Sequence, residues 1–139
     1  MLVEARLESG HCRHVVVLGT NGVSYALPVE PEPNGYGSRA NGGELLCLAV
    51  ATCYRNDIYR EAEKRRIAVV RVEVEAIAEF GAAGEAAVSL DYQASVSARA
   101  LEADIRDLML HTDRVAEVQN TLRRGMEVRF KAVHAIPVS

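Results

Sequence analysis

The side chains best suited to chemistry in this sequence are three thiols, Cys12, Cys47 and Cys53. A thiol acts as a nucleophile only as its thiolate. That form is favoured beside a cation or a helix N-terminus and disfavoured among apolar groups. Cys53 stands where the apolar run Leu45 to Cys53 meets polar residues that begin at Arg55. Candidate cations for it are its neighbour Arg55, and Arg39 and Arg13 from earlier in the chain. Activated by one of them, Cys53 suits nucleophilic attack and oxidation to a sulfenic acid. Left alone, it is a small packing residue.

The other candidates are weaker. Cys47 precedes Cys53 by six residues, about 120° around a helix, so it reads as core and a bridge between the two does not fit one intact helix. Cys12 reads as part of a strand and reaches Cys53 only if the fold brings their Cα atoms within about 7 Å. In His11-Cys12-Arg13-His14, residues 12 and 14 share a strand face but 11 and 12 do not. Two ligands leave a tetrahedral site unfilled, so no metal site is expected. His111 reads as a dipole partner at a helix end. Phosphate loops, nucleophile elbows and zinc spacings are absent from the sequence, and no cofactor is expected.

The element that must position Cys53 is Asn41 to Arg66. Asn41 and Glu44 have capping-box spacing, and Lys64, Arg65 and Arg66 suit the negative end of a helix. Leu45 to Cys53 is apolar on every side and must be covered all round, whereas the half after Arg55 reads as polar. Arg60 to Lys64 and Glu73, Glu75 and Glu79 read as solvated faces.

Before this helix, residues 2–9 alternate as a strand, Ser9-Gly10 turns, and His14 to Leu18 is a second strand. Asn21-Gly22 signals a hairpin into a third strand, Val23 to Val29. Residues 30–43 are rich in proline and glycine and form a long loop. After the helix, Val70 to Phe80 and Val88 to Ala98 alternate and make a long hairpin turned at Gly81 to Gly84. Leu101 to Leu110 is helical, His111-Thr112-Asp113 breaks it, and a second helical face ends at Arg123-Arg124-Gly125. Met126 to Ala132 alternates as a last strand. The fold class is α+β, with antiparallel sheet packed on a long central helix in the order βββ–α–ββ–α(α)–β.

The 139 residues read as one domain, 1–139. The net charge of −3 argues against nucleic acid as the main partner. No apolar run approaches the roughly 18 residues of a membrane span, and the start lacks the apolar stretch of a signal peptide, so a cytoplasmic protein is expected. Three cysteines make an odd count, which does not suggest a disulfide framework. One sheet covers one side of the apolar helix half, so a second copy is the natural cover and a homodimer is expected.

Glu44-Leu45-Leu46-Cys47-Leu48-Ala49-Val50-Ala51-Thr52-Cys53 follows a glycine-rich loop and leads to an alternating strand. It resembles the core segment of the OsmC/Ohr family, in which Glu-Leu-Leu and small apolar residues precede a cysteine. The resemblance spans roughly residues 35–136. It implies an intertwined homodimer that reduces organic hydroperoxides through a peroxidatic cysteine, held as thiolate by an Arg and a Glu and resolved by a second cysteine that dithiols reduce. Carried over by position, the peroxidatic residue is Cys53. The family's acid falls at Gly43, with Glu44 adjacent. The activating cation is Arg39 or Arg13, with Arg39 preferred for its closeness to the motif. Ala116 stands where the resolving thiol belongs, so the implied cycle uses an external thiol or dithiol. Two functions follow as expectations: a one-cysteine hydroperoxide reductase, or a non-catalytic dimer that binds a small molecule or serves a structural role with Cys53 as packing.

Overall fold

A computed structural model describes residues 1–138. The elements are β1 (Val3–Gly10), β2 (Arg13–Thr20), β3 (Val23–Ala26), α1 (Gly42–Lys64), β4 (Ala68–Phe80), β5 (Ala87–Arg99), α2 (Glu102–Val115) and α3 (Glu117–Arg124). They divide into two compact units, Met1–Cys47 and Leu48–Ser139, with the division inside α1. This is the α+β class expected from the alternation of periods 2 and 3.6.

The first unit is an antiparallel sheet in the order β1-β2-β3. Val3 pairs with Thr20 and Gly10 with Arg13, so the first turn lies at His11-Cys12 and not at Ser9-Gly10. Cys12 is therefore a turn residue with φ 55°, not a strand residue. Its amide donates to the Gly35 carbonyl at 2.7 Å, a bond that helps hold this uncommon left-handed conformation. The second turn is Asn21-Gly22, with φ values of 48° and 82°, as a two-residue hairpin requires. β3 ends at Ala26 rather than Val29, just before Pro28, which has no amide to continue a ladder.

The cap of α1 forms as its sequence demands. The Glu44 amide donates to Asn41 Oδ1 at 2.8 Å, and the Asn41 amide donates back to Glu44 Oε1 at 3.1 Å. At the other end Arg66 adopts φ 56°, and the Ile67 amide closes on the Ala62 carbonyl at 2.9 Å.

In the second unit, β4 and β5 pair from Ala68↔Arg99 to Phe80↔Ala87. Their half-buried residues, among them Val72, Val74, Tyr92, Ala94 and Val96, pack on a core of Tyr54, Ile58, Ala62 and Leu108. Along α1 the buried positions are Val50, Tyr54, Asp57, Ile58, Glu61 and Ala62. This is one helical stripe at spacings of three and four. In the single chain the stripe extends past the apolar run. The half that reads as polar carries the buried stripe, while Leu45 and Leu48 in the all-apolar half are 37% and 57% exposed. The reason is that Tyr54, Ile58 and Ala62 suffice for one face against a hairpin and a helix, whatever the polarity of the opposite face. Asp57 and Glu61 enter the stripe because long or hydrogen-bonded polar groups can be buried when partnered.

The helical break also lies elsewhere. α2 runs through His111, Thr112 and Asp113 and ends at Ala116, an extended residue with φ −70° and ψ 112°. The Thr112 hydroxyl donates to the Leu108 carbonyl one turn back, so it is accommodated within the helix instead of capping a new one. Gly125, with φ 73°, ends α3 as expected. The alternating run from Met126 is not paired into a strand. Alternation supplies a face, but a strand also needs a partner edge, and Val128 and Phe130 are 94% and 88% exposed.

Candidate functional site

Cys53 sits on α1 one turn before Asp57 and faces the start of α3. Its S–H lies 3.7 Å from Asp57 Oδ2 and 3.7 Å from Glu117 Oε2. The other oxygens of the same carboxylates face a guanidinium: Arg60 Nη1 is 3.1 Å from Asp57 Oδ1 and 3.0 Å from Glu117 Oε1. The two acids thus present one edge to the thiol and the other to Arg60.

The break at Ala116 makes this possible. Its buried methyl ends α2, and α3 starts with Glu117 directed at the thiol. Gln119, on the same helix, donates from Nε2 to the Val50 carbonyl at 3.1 Å and so ties α3 to the α1 turn that carries Cys53. One turn further along α1, Glu61 is buried between Lys64 at 2.6 Å and His111 Nε2 at 3.1 Å. Glu61 is therefore part of a buried network and not of a solvated face, and His111 is its mid-helix partner and not a helix-end residue.

Burial, followed by the nearby charges of Asp57 and Glu117, pushes the Cys53 thiol above its ordinary pKa, against the pull of the Val118 backbone. Burial and a bond to Glu117 raise the Asp57 carboxyl to about 6, although Arg60 opposes this. Glu117 stays below its ordinary value through its own backbone amide, and also through bonds from Asp57 and Arg60. Of the two acids, Asp57 is therefore the one that takes up a proton first as pH falls. The donor atoms of Cys53, Asp57 and Glu117 lie within 4.8 Å of one another. These are the groups that could hold a cation, although Arg60 already neutralises the outer oxygens.

The other sequence-derived site residues make their bonds in the first unit. Arg39 Nη1 pairs with Glu30 at 3.3 Å, Arg13 with Glu8 at 3.9 Å, and Glu44 is used in the cap of α1. Cys12 and Cys47 are free thiols. Reading the sequence missed Asp57, Arg60 and Glu117. A local signal existed for the first two, since residues 53, 57 and 60 share a helix face. Glu117 comes from 64 residues away and has none.

Fold and site together define an α+β protein whose central helix sets a thiol, Cys53, against two carboxylates. The model of the OsmC-like protein family matches residues 35–131. The chain belongs to that family. No protein with a curated description matches it. Among solved structures it is similar to the OsmC-like protein of Mycoplasma pneumoniae, with TM-score 0.60 and 12% identity over 87% of this chain and 85% of that one. An OsmC-like hydroperoxide resistance protein from Jannaschia sp. gives TM-score 0.56 and 14% identity over 98% and 91%. An organic hydroperoxide resistance protein from Elizabethkingia anophelis gives 0.55 and 15% over 88% and 89%. Among the described residues, no helix is long and apolar enough to cross a membrane.

Proposed function

We propose that this chain, acting as one OsmC-like domain in a cytoplasmic homodimer, reduces organic hydroperoxides through Cys53 with an external thiol as the resolving partner. The observation that carries this reading is the position of Cys53. It is the thiol of the family's central-helix motif, it faces the linker between α2 and α3, and that linker holds Ala116 where a second thiol would close the cycle internally. Attack by sulfur on the peroxide yields an alcohol and a Cys53 sulfenic acid. A small thiol or dithiol then returns the sulfur to its reduced form. Arg39, with Arg13 as the alternative, supplies the activating cation from a second copy, and Glu44 orients it. The half-exposed Leu45 and Leu48 and the apolar run after Gly125 support a second copy as the cover.

A second reading has its own support. Two carboxylates around Cys53 and a raised thiol pKa suit a packing residue in a dimer that binds a small molecule or serves a structural role. The test is hydroperoxide consumption by the purified protein with a monothiol or a dithiol, beside Cys53→Ser. Turnover lost in the variant is the expected outcome. No turnover in the wild type, with the dimer intact, decides for the second reading.

A further inference from the structure

A half-buried thiol flanked by carboxylates faces two obstacles as a peroxidase. Its proton must leave, and the alkoxide that departs from the peroxide must be protonated, because an alkoxide is a poor leaving group. Asp57 is placed for both. Its Oδ2 lies 3.7 Å from the sulfur, Glu117 Oε2 lies at the same distance, and Arg60 anchors both carboxylates from behind. The titratable and charged groups around Asp57 are Cys53 and Arg60 on α1 and Glu117 on α3.

Resting on the hydroperoxide reading above, we propose that Asp57, paired with Glu117, takes the proton of the Cys53 thiol and returns it to the alkoxide. The S–H proton passes to the carboxylate pair. The thiolate attacks the terminal peroxide oxygen, an S–O bond forms and the O–O bond breaks. The alkoxide takes the proton from Asp57 and leaves as an alcohol, with Cys53 as sulfenic acid. Sulfur is oxidised by two electrons and the peroxide is reduced by two. Asp57 titrates near 6, close to neutral pH, where one group serves efficiently as both acceptor and donor. Its role differs from that of a cation, which only lowers the thiol pKa.

Asp57→Asn separates the two. Removing the negative charge makes the thiolate easier to form, so alkylation by iodoacetamide at pH 7 becomes faster, since iodide needs no proton to leave. Turnover of tert-butyl hydroperoxide with a monothiol falls about 100-fold, the lower range for loss of a general acid–base. Glu117→Gln, at an exposed position, provides a second variant if Asp57→Asn does not fold. It removes the neighbour that, after burial, raises Asp57, so the acid limb of the turnover profile moves to lower pH. Alkylation and turnover rising together in Asp57→Asn, or an acid limb unmoved in Glu117→Gln, overturns the relay alone. An inactive wild type overturns the peroxidase reading and the relay with it.

Discussion

Two aspartates of the second unit each face an arginine, and their protons behave in opposite ways. Asp113 accepts from the Tyr92 hydroxyl and pairs with Arg123 Nη2 at 2.6 Å. Partial burial raises it, but those donors outweigh burial and keep the carboxyl below its ordinary value. Asp57 has Arg60 at 3.1 Å, yet burial and the neighbouring Glu117 carry it up to about 6. The difference lies in the second neighbour. A hydroxyl adds a donor to the charged form, whereas a carboxylate adds a like charge. An arginine alone does not decide whether an aspartate is ionised. The Asp113 cluster is built to stay charged and hold α2, α3 and β5 together. The Asp57 cluster is built near its titration point, at the thiol.

The comparison breaks most visibly in the pH dependence of stability. Asp57 has a folded pKa above its ordinary one, so what it contributes is full below about pH 4 and is lost as pH rises through about 6. Asp113 has the opposite sign: its contribution is present above about pH 4 and is lost as pH falls. Wild type should therefore lose on the order of 2 kcal/mol relative to Asp57→Asn between pH 4 and pH 6. Urea unfolding of the two proteins at both pH values measures this. A constant difference means that Asp57 is ionised throughout. Next in size, Arg60→Ala removes the cation that offsets both carboxylates, so iodoacetamide alkylation of Cys53 at pH 7 slows about tenfold, one pKa unit. An unchanged rate means that the carboxylates shift with the loss of Arg60. The smallest effect is that of Asp113→Asn. It weakens the bonds to Tyr92 and Arg123 and lowers stability at pH 7 by about 1 kcal/mol, given the partial exposure of the cluster. Stability at or above wild type in this variant removes the contrast between the two aspartates.

Much of this fold can be read from local chemistry. The cap at Asn41 and Glu44, the Asn21-Gly22 turn, the β4–β5 hairpin and the stop at Gly125 each depend on residues within a few positions of one another. The misreadings share a cause, which is that they depend on partners distant in the chain. The buried stripe of α1 beyond Arg55 is set by Leu108 and the hairpin, which the polar residues there do not announce. Glu61 reads as solvated until His111 arrives from α2. The break falls at Ala116 because Thr112 bonds back to Leu108, a choice the run His111-Thr112-Asp113 does not announce. At the site, Cys53 stood out through its sequence neighbourhood. Asp57 and Arg60 were legible only as its helical neighbours, and Glu117 not at all.

The run that follows Gly125 bears on how the protein survives before assembly. Residues 126–138 follow the Tyr54, Ile58, Ala62 and Leu108 core in the chain and none of them belongs to it. The run carries a string of uncovered apolar side chains, with Met126, Val128, Phe130, Val133 and Ile136 among them. An extended segment of this kind is a template for pairing with any open edge, correct or not. Until it is covered, this run is open to proteases and to misassembly, and the time it stays so depends on the local concentration of whatever covers it.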